Sequence, residues 1–308
     1  MGRAEPPDEA DPIAWVAAWR ARIEAVLDRL LPAETAPPGR LHRAMRYSVF
    51  AGGKRLRPLL ALSAARACGG DLDAILPAAC GLEMIHTYSL IHDDLPALDD
   101  DDWRRGVSTC HKAFDEATAI LAGDALLTHG LGGFAVHPAG EAYGKARLEA
   151  LALVAEAIGT AGMIGGQMED LEAERGDPGA TPPAERLEAI HARKTGKLIR
   201  ASIAVGAILS SANVDLRSRL DRYGDRLGLA FQIKDDLLDV ESTRDALGKD
   251  AGKDAARGKL TFPGVHGVES SHRILAETVA EAGEIAARIE SPPGPLAYFA
   301  AYVADRAR

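Results

Sequence analysis

The chain has no excess of positive charge, no paired cysteine pattern and little alternation of β-branched residues, and each absence removes a class of protein. Its 36 Lys and Arg stand against 45 Asp and Glu, a formal net charge of −9. That balance excludes general nucleic-acid binding unless basic residues cluster locally, which they do only in a few short motifs. Cys68, Cys80 and Cys110 form no close-spaced metal pattern, and an odd number argues against a disulfide framework, so a reducing, cytoplasmic setting is expected. The opening MGRAEPPDEADP lacks a basic flank followed by an apolar core, and no later apolar run reads as long and charge-free enough to span a bilayer. The expectation is therefore a soluble chain with no membrane span. No fixed-period repeat argues for a solenoid.

What is present points to helix. Ala and Leu are abundant, and the 47% apolar content is ample for a buried core. Val16, Trp19, Ile23, Val26, Leu27 and Leu30 recur at helical intervals before Pro32 stops the run. Similar spacing predicts helices over Leu41–Ala51, Pro58–Ala67, Asp73–His92, Phe114–Val136, Tyr143–Leu171, Glu185–Leu209, Leu216–Val240 and Ile274–Ile289, with a short one from Leu296. The breaks at Ala36–Gly39, His137–Gly140, Gly176–Pro183 and Pro292–Pro295 are too short for domain linkers. One all-α domain over residues 1–308 is expected, with residues 1–12 loose.

Two acidic clusters interrupt this apolar pattern. In Asp235-Asp236-Leu237-Leu238-Asp239, positions 235 and 239 share a helix face about one turn apart. Carboxylates held close resist joint ionisation unless a cation compensates, and an oxygen-only donor set suits hard Mg²⁺. An isolated DDxxD would be better read as a solvated face, but a second cluster, His92-Asp93-Asp94-Leu95-Pro96-Ala97-Leu98-Asp99-Asp100-Asp101-Asp102, ends another apolar helix in the same manner. Six residues do not return to one face of a straight helix, so Asp93 and Asp99 meet only if the backbone bends near Pro96. Asp93 and Asp99 are the candidate ligands there; the other aspartates of Asp99–Asp102 read equally as an acidic turn. A cluster from each of two helices, facing across a cavity, would let several Mg²⁺ ions grip one diphosphate.

Basic motifs accompany them. Trp103-Arg104-Arg105-Gly106 follows the first cluster, and an earlier loop reads Gly52-Gly53-Lys54-Arg55-Leu56-Arg57-Pro58. Arginine offers paired donors to phosphate, lysine a compact charge, and glycine a close backbone approach. The loop lacks the GxxxxGK[ST] arrangement, so P-loop nucleotide binding is disfavoured. Arg55 is expected at the surface, neutralising nearby acids. Arg193-Lys194-Thr195-Gly196, Phe231-Gln232, Lys249 and Lys259 complete the set. Taken singly, loop lysines usually face solvent and Thr195 reads as a helix cap.

In sequence order, GGKRLRP, EMIHTYSLIHDDLPALDDDDWRRG, CHKAFDEATAILAGDAL, GGQMEDL, HARKTGKLIRAS, FQIKDDLLDV and LGKDAGKD resemble the trans-isoprenyl diphosphate synthases, particularly the bacterial-type farnesyl diphosphate synthases, over nearly the whole chain. The resemblance implies an isoprenoid synthase-type helical bundle around a deep central cavity, usually a homodimer. It implies that Lys54, Arg57, His86 and Arg105 bind isopentenyl diphosphate, and that Arg104, Lys194, Lys249 and Lys259 contact the allylic diphosphate. Asp93, Asp99 and Asp235 would coordinate Mg²⁺, with Asp94, Asp236 and Asp239 one shell out, and oxygens of Lys194, Thr195 and Gln232 would stabilise an allylic cation. His86 also reads as a buried core histidine. Tyr88, five residues before Asp93, and Ser89 would limit product length; Tyr88 and the two-residue expansion between Asp94 and Asp99 favour a fifteen-carbon product. Geranylgeranyl diphosphate synthase and a non-catalytic subunit of a heteromeric synthase are the alternatives, while the GGKRLRP loop argues against a terpene cyclase. Leu260 departs from the smaller residue expected after Lys259.

Overall fold

A computed structural model describes residues 11–175, 182–241 and 259–306. The first helix, α1 (Pro12–Leu30), starts where the Asp11 side chain accepts from the Ile13 amide at 2.9 Å, and it buries Trp15, Trp19, Ile23, Val26 and Leu27. Helices α2 (Gly39–Phe50) and α3 (Leu56–Ala67) follow, then α4 (Leu72–Asp93), capped by Asp71. Both α3 and α4 are buried nearly all round, as expected of helices with no solvent face. A two-residue hairpin, β1 (Trp103–Arg104) against β2 (Val107–Ser108), leads to α5 (Cys110–Ala113) and α6 (Glu116–Val136), the latter capped by Asp115.

Beyond these lie α7 (Gly144–Ile158), α8 (Met163–Glu174), α9 (Pro183–His191), α10 (Lys197–Leu209), α11 (Val214–Glu241), α12 (Phe262–His266), α13 (Val268–Ile289) and α14 (Pro295–Asp305). The inner layer is α3, α4 and α10; α6 covers α4, α11 covers α10, and α13 and α14 close the side beyond α11. Backbones of α4 and α6 approach closely because a Cβ on Gly81 would lie 2.7 Å from the Gly130 carbonyl oxygen, and one on Gly130 2.8 Å from that of Gly81.

Three departures from the sequence expectation matter. The helix predicted over Tyr143–Leu171 is broken between Ile158 and Met163. Helices α9 and α10 are joined through a π-helical turn, Ala192–Gly196, which carries Lys194 and Thr195. Finally, Leu72–Asp93, Glu116–Val136 and Glu141–Glu174 are long and apolar enough to cross a bilayer, against the expectation of no such run. The first is 72% buried over its most apolar window, the other two 33%; the apolar character of α4 serves the core, whereas α6 and α7 keep Leu121, Val136 and Leu148 exposed.

Candidate active site

Helix α4 ends at Asp93, and the chain then turns sharply. The Asp99 amide donates to the Asp93 carbonyl at 2.8 Å, and the Asp101 amide to that of Asp94 at 3.2 Å. This turn supplies the bend that the six-residue spacing requires and sets Asp93 and Asp99 side by side. Burial pushes the Asp93 carboxyl up to about 6, Asp99 adds to the rise, and Lys194 opposes it. Asp94 points the other way: it is 3% exposed, and the Arg104 Nε donates to it at 2.6 Å while Asp101 takes the same guanidinium at 3.4 Å. Arg104, expected at the allylic diphosphate, is thus braced by two carboxylates beside Asp93.

The π turn brings Lys194 to this cluster. A π turn adds a residue to the helix and re-aims the side chains it carries. Lys194 Nζ donates to Asp170 of α8 at 2.6 Å, and the charges of Asp170 and Asp93 hold its ammonium above the usual range against burial. Gly166 makes room for the turn, since a Cβ there would lie 2.8 Å from Lys194 Cα. Lys259 reaches Asp99 and Glu174, each at 3.4 Å. Lys249 lies outside the described residues.

On α11, neighbouring aspartates divide. Asp236 is 4% exposed and accepts from Gln232 Nε2 at 2.8 Å and from the Phe262 amide at 2.8 Å, so it fastens α12 to α11. Gln232, expected to stabilise a cation, has its amide nitrogen on this carboxylate. His191 Nε2 stands 3.8 Å from Asp236 and stacks on Phe262; burial depresses its imidazole to about 4. Asp235 stays 45% exposed, and the Arg306 guanidinium bonds to it. Desolvation by the protein packed around this cleft raises the Asp235 carboxyl even so, while the charges of Arg306, Lys54 and Arg57 pull it down, which ties the second acidic cluster to the basic loop.

Within that loop, Arg57 is 9% exposed with no hydrogen-bond partner for its Nε among the described residues, and burial lowers its guanidinium to about 10. A buried guanidinium with a donor left over suits an anion. His86 is driven well below its ordinary value by burial and then by Arg57, Arg105 and Arg104, which keeps it neutral among three cations. Arg105 Nη1 donates to the Gly52 carbonyl at 2.5 Å, and Lys54 Nζ lies 5.3 Å from the Tyr302 ring centroid. Arg55 corrects the surface expectation. It is 1% exposed, bonded by Glu24 at 2.7 Å, Glu83 at 3.1 Å and the Val49 carbonyl at 2.7 Å. A planar fork can satisfy two carboxylates from different helices, which a loop position does not reveal.

A cavity of about 360 Å³ is lined by the polar Asp93, Arg57, His86, Lys194 and Thr195 together with Tyr88, Ser89, Leu98, Met163 and Met168. Burial raises the Tyr88 hydroxyl to about 12, and that hydroxyl is buried without a hydrogen-bond partner among the described residues. Asp93 and Asp99 offer only oxygen, the donor set for a hard divalent cation. Asp100, Asp102 and His111 form a separate group with ligand atoms within 4.8 Å of one another, where Lys112 Nζ already compensates Asp102 at 2.8 Å.

Against known proteins, the polyprenyl synthetase family profile matches residues 38–291. The chain belongs to the polyprenyl synthetase family. It is 42% identical to a dimethylallyltranstransferase of Fischerella ambigua (strain UTEX 1903) over 95% of this chain and 83% of that one. It is also 42% identical to a farnesyl diphosphate synthase of Geobacillus stearothermophilus, over 92% of this chain and 94% of the relative. The fold superposes on the crystal structure of an FPP/GFPP synthase from Zymomonas mobilis with a TM-score of 0.81 and 36% identity, covering 94% and 98% of the two chains. This polyprenyl synthetase is a prenyltransferase with the isoprenoid synthase helical fold. Asp170, Glu83 and Arg306 were missed as partners of site residues. Only Asp170 left a trace, since Gln167 and Asp170 in GGQMEDL stand one helical turn apart.

Proposed function

We propose that this polyprenyl synthetase condenses isopentenyl diphosphate with dimethylallyl and geranyl diphosphates to give farnesyl diphosphate and diphosphate. The observation that carries the reading is one cavity lined by Asp93, Lys194, Arg57 and Tyr88 together, with the charges of Arg105 and Lys54 acting on its neighbours His86 and Asp235. Asp93, Asp99 and Asp235 would hold Mg²⁺, several ions per site. The metal, when bound, neutralises charge growing on the leaving diphosphate.

The chain's own groups do the rest. Lys194 and Lys259, already beside Asp93 and Asp99, are placed to take diphosphate oxygens, with Arg104 braced by Asp94 and Asp101 and Lys249 expected from outside the described residues. Lys54, Arg57, Arg105 and neutral His86 form the second anion pocket, for isopentenyl diphosphate. Carbonyl or hydroxyl oxygens of Lys194, Thr195 and Gln232 would face the allylic cation, for which no protein nucleophile is needed. Tyr88 and Ser89 would stop the growing tail. We read residues 1–308 as one domain around one core, acting in the cytoplasm, where the free thiols of Cys68, Cys80 and Cys110 fit. The exposed apolar side chains of α6 and α7, beside a groove of about 780 Å³ that includes Leu121 and Val136, favour a homodimer through that face.

The test is incubation with isopentenyl diphosphate, Mg²⁺ and each allylic primer, followed by sizing of the products. A fifteen-carbon end product is expected, lengthened by Tyr88→Ala; an unchanged length in that variant removes Tyr88 as the stop. Asp93→Ala and Asp235→Ala should abolish turnover with the fold intact, and near-normal rates would refute their roles. A twenty-carbon product from the wild type would favour geranylgeranyl diphosphate synthase instead.

A further inference from the structure

Arg306 carries no motif, yet it sits on a carboxylate assigned above to a metal ion. It follows α14 directly, and its amide donates to the Tyr302 carbonyl at 3.1 Å. The residue is 7% exposed. Its Nη2 bonds to Asp235 Oδ1 and donates to the Phe231 carbonyl at 3.2 Å, while the guanidinium carbon lies 3.9 Å from the Phe231 ring centroid. The Nε is buried with no hydrogen-bond partner among the described residues.

Burying an ionised group is repaid only when its remaining donors are satisfied, and here one donor is not. Asp235 is therefore held by a cation whose own burial is incompletely compensated. A divalent ion on the same oxygen would bring two positive centres within a few ångströms of each other, in a space that Lys54 and Arg57 already charge. Guanidinium and metal thus compete for one ligand atom.

We infer that Arg306 is an intramolecular stand-in for the cation at Asp235, and that metal loading there displaces it and frees the end of α14. The inference rests on the reading of Asp235 as a metal ligand. Unloaded, the pair holds the Asp235 carboxylate in place; loaded, the guanidinium leaves.

The experiment uses the full chain with Mn²⁺ as probe, its binding followed by the electron paramagnetic resonance of the free ion, in an Asp93→Asn background that leaves the Asp235 side as the site observed. Adding Arg306→Gln should tighten Mn²⁺ binding on the order of tenfold, as expected when one competing ion pair is removed. Adding Arg306→Lys, which keeps a charge, should tighten it less. Amide hydrogen exchange over Tyr302–Arg306 should speed up when Mn²⁺ is added to the Asp93→Asn protein. Unchanged or weaker binding in the Arg306→Gln variant, or unchanged exchange, would overturn the inference. If adding Asp235→Asn leaves Mn²⁺ binding as tight as in Asp93→Asn alone, the ligand reading itself fails, a result separable from the Arg306 arms. Should Arg306→Gln lose its circular dichroism, the lysine variant and the exchange measurement decide.

Discussion

Gly166→Ala and Gly283→Ala are the same chemical change in two helices, and the structure assigns them opposite outcomes. In a helix interior, alanine is favoured over glycine by about 0.5–1 kcal/mol, chiefly through backbone entropy. On α13, a Cβ at Gly283 meets nothing within 4 Å among the described residues, so that gain should appear in full. On α8, a Cβ at Gly166 would fall 2.8 Å from Lys194 Cα and 2.9 Å from Arg193 Cβ, with the Lys194 amide nitrogen nearer still. None of these is the far end of a flexible side chain, so α8 and the π turn must part. Overpacking of this kind costs about 1–3 kcal/mol, which outweighs the propensity gain. The shift also separates Lys194 from Asp170 and from Asp93, and a misplacement of roughly 1 Å can reduce turnover on the order of a hundredfold. Guanidinium denaturation and initial rates of diphosphate release measure both effects. If Gly166→Ala is stabilised like Gly283→Ala and turns over normally, α8 does not press on the π turn and the account of Lys194 is wrong.

His191 makes stability depend on pH. In the unfolded chain it binds a proton below its ordinary value near 6.5, while in the fold it stays neutral down to about 4, so the unfolded state holds more protons between those limits. Stability should therefore fall as pH drops from 6.5 to 4, by about 3 kcal/mol at full effect, and His191→Gln should flatten that part of the denaturation profile; an unchanged slope would show the loss to arise elsewhere. Arg55→Leu leaves Glu83, whose side chain is 2% exposed, without its cation and should destabilise by about 3–5 kcal/mol. Arg22→Ala, which breaks an exposed pair with Asp73, should change stability by less than about 1 kcal/mol. Equal costs in chemical denaturation would refute the distinction drawn between the two pairs.

Helical periodicity made most of the bundle legible, because apolar stripes such as Trp15, Trp19, Ile23 and Val26 are set by local spacing alone. The approach of Asp93 to Asp99 was legible for the same reason: six residues cannot share a helix face, so a turn was required. The π turn at Ala192–Gly196 was not, since it depends on what Gly166 allows a second helix to approach, whereas the break after Ile158 is local, with a Cβ on Gly162 meeting the Ala157 carbonyl at the end of α7. A Cβ at Gly166 clashes only because Lys194 arrives from 28 residues later. Arg55 was misjudged because its partners, Glu24 and Glu83, come from α1 and α4. The pairing of Arg306 with Asp235 spans 71 residues and has no local sign at all.

The paired aspartates show why such a motif needs both members. Adjacent helical residues point about 100° apart, so a doublet at the end of a buried helix cannot turn both carboxylates to one cavity. Asp93 lines the cavity and Asp235 stays half-exposed, while Asp94 and Asp236 turn into the protein. The inward members are fully occupied: Asp94 braces Arg104, and Asp236 takes Gln232 and the Phe262 amide. A carboxylate free to bind an ion is expensive to hold in place, and these neighbours anchor the backbone that carries it without sharing its oxygens. Asparagine at the two inward positions should accordingly differ. An amide oxygen at 236 still accepts from the Phe262 amide, whereas at 94 the loss of charge leaves the half-buried Arg104 guanidinium with Asp101 as its remaining carboxylate bond among the described residues, so Arg104 should be the group that moves.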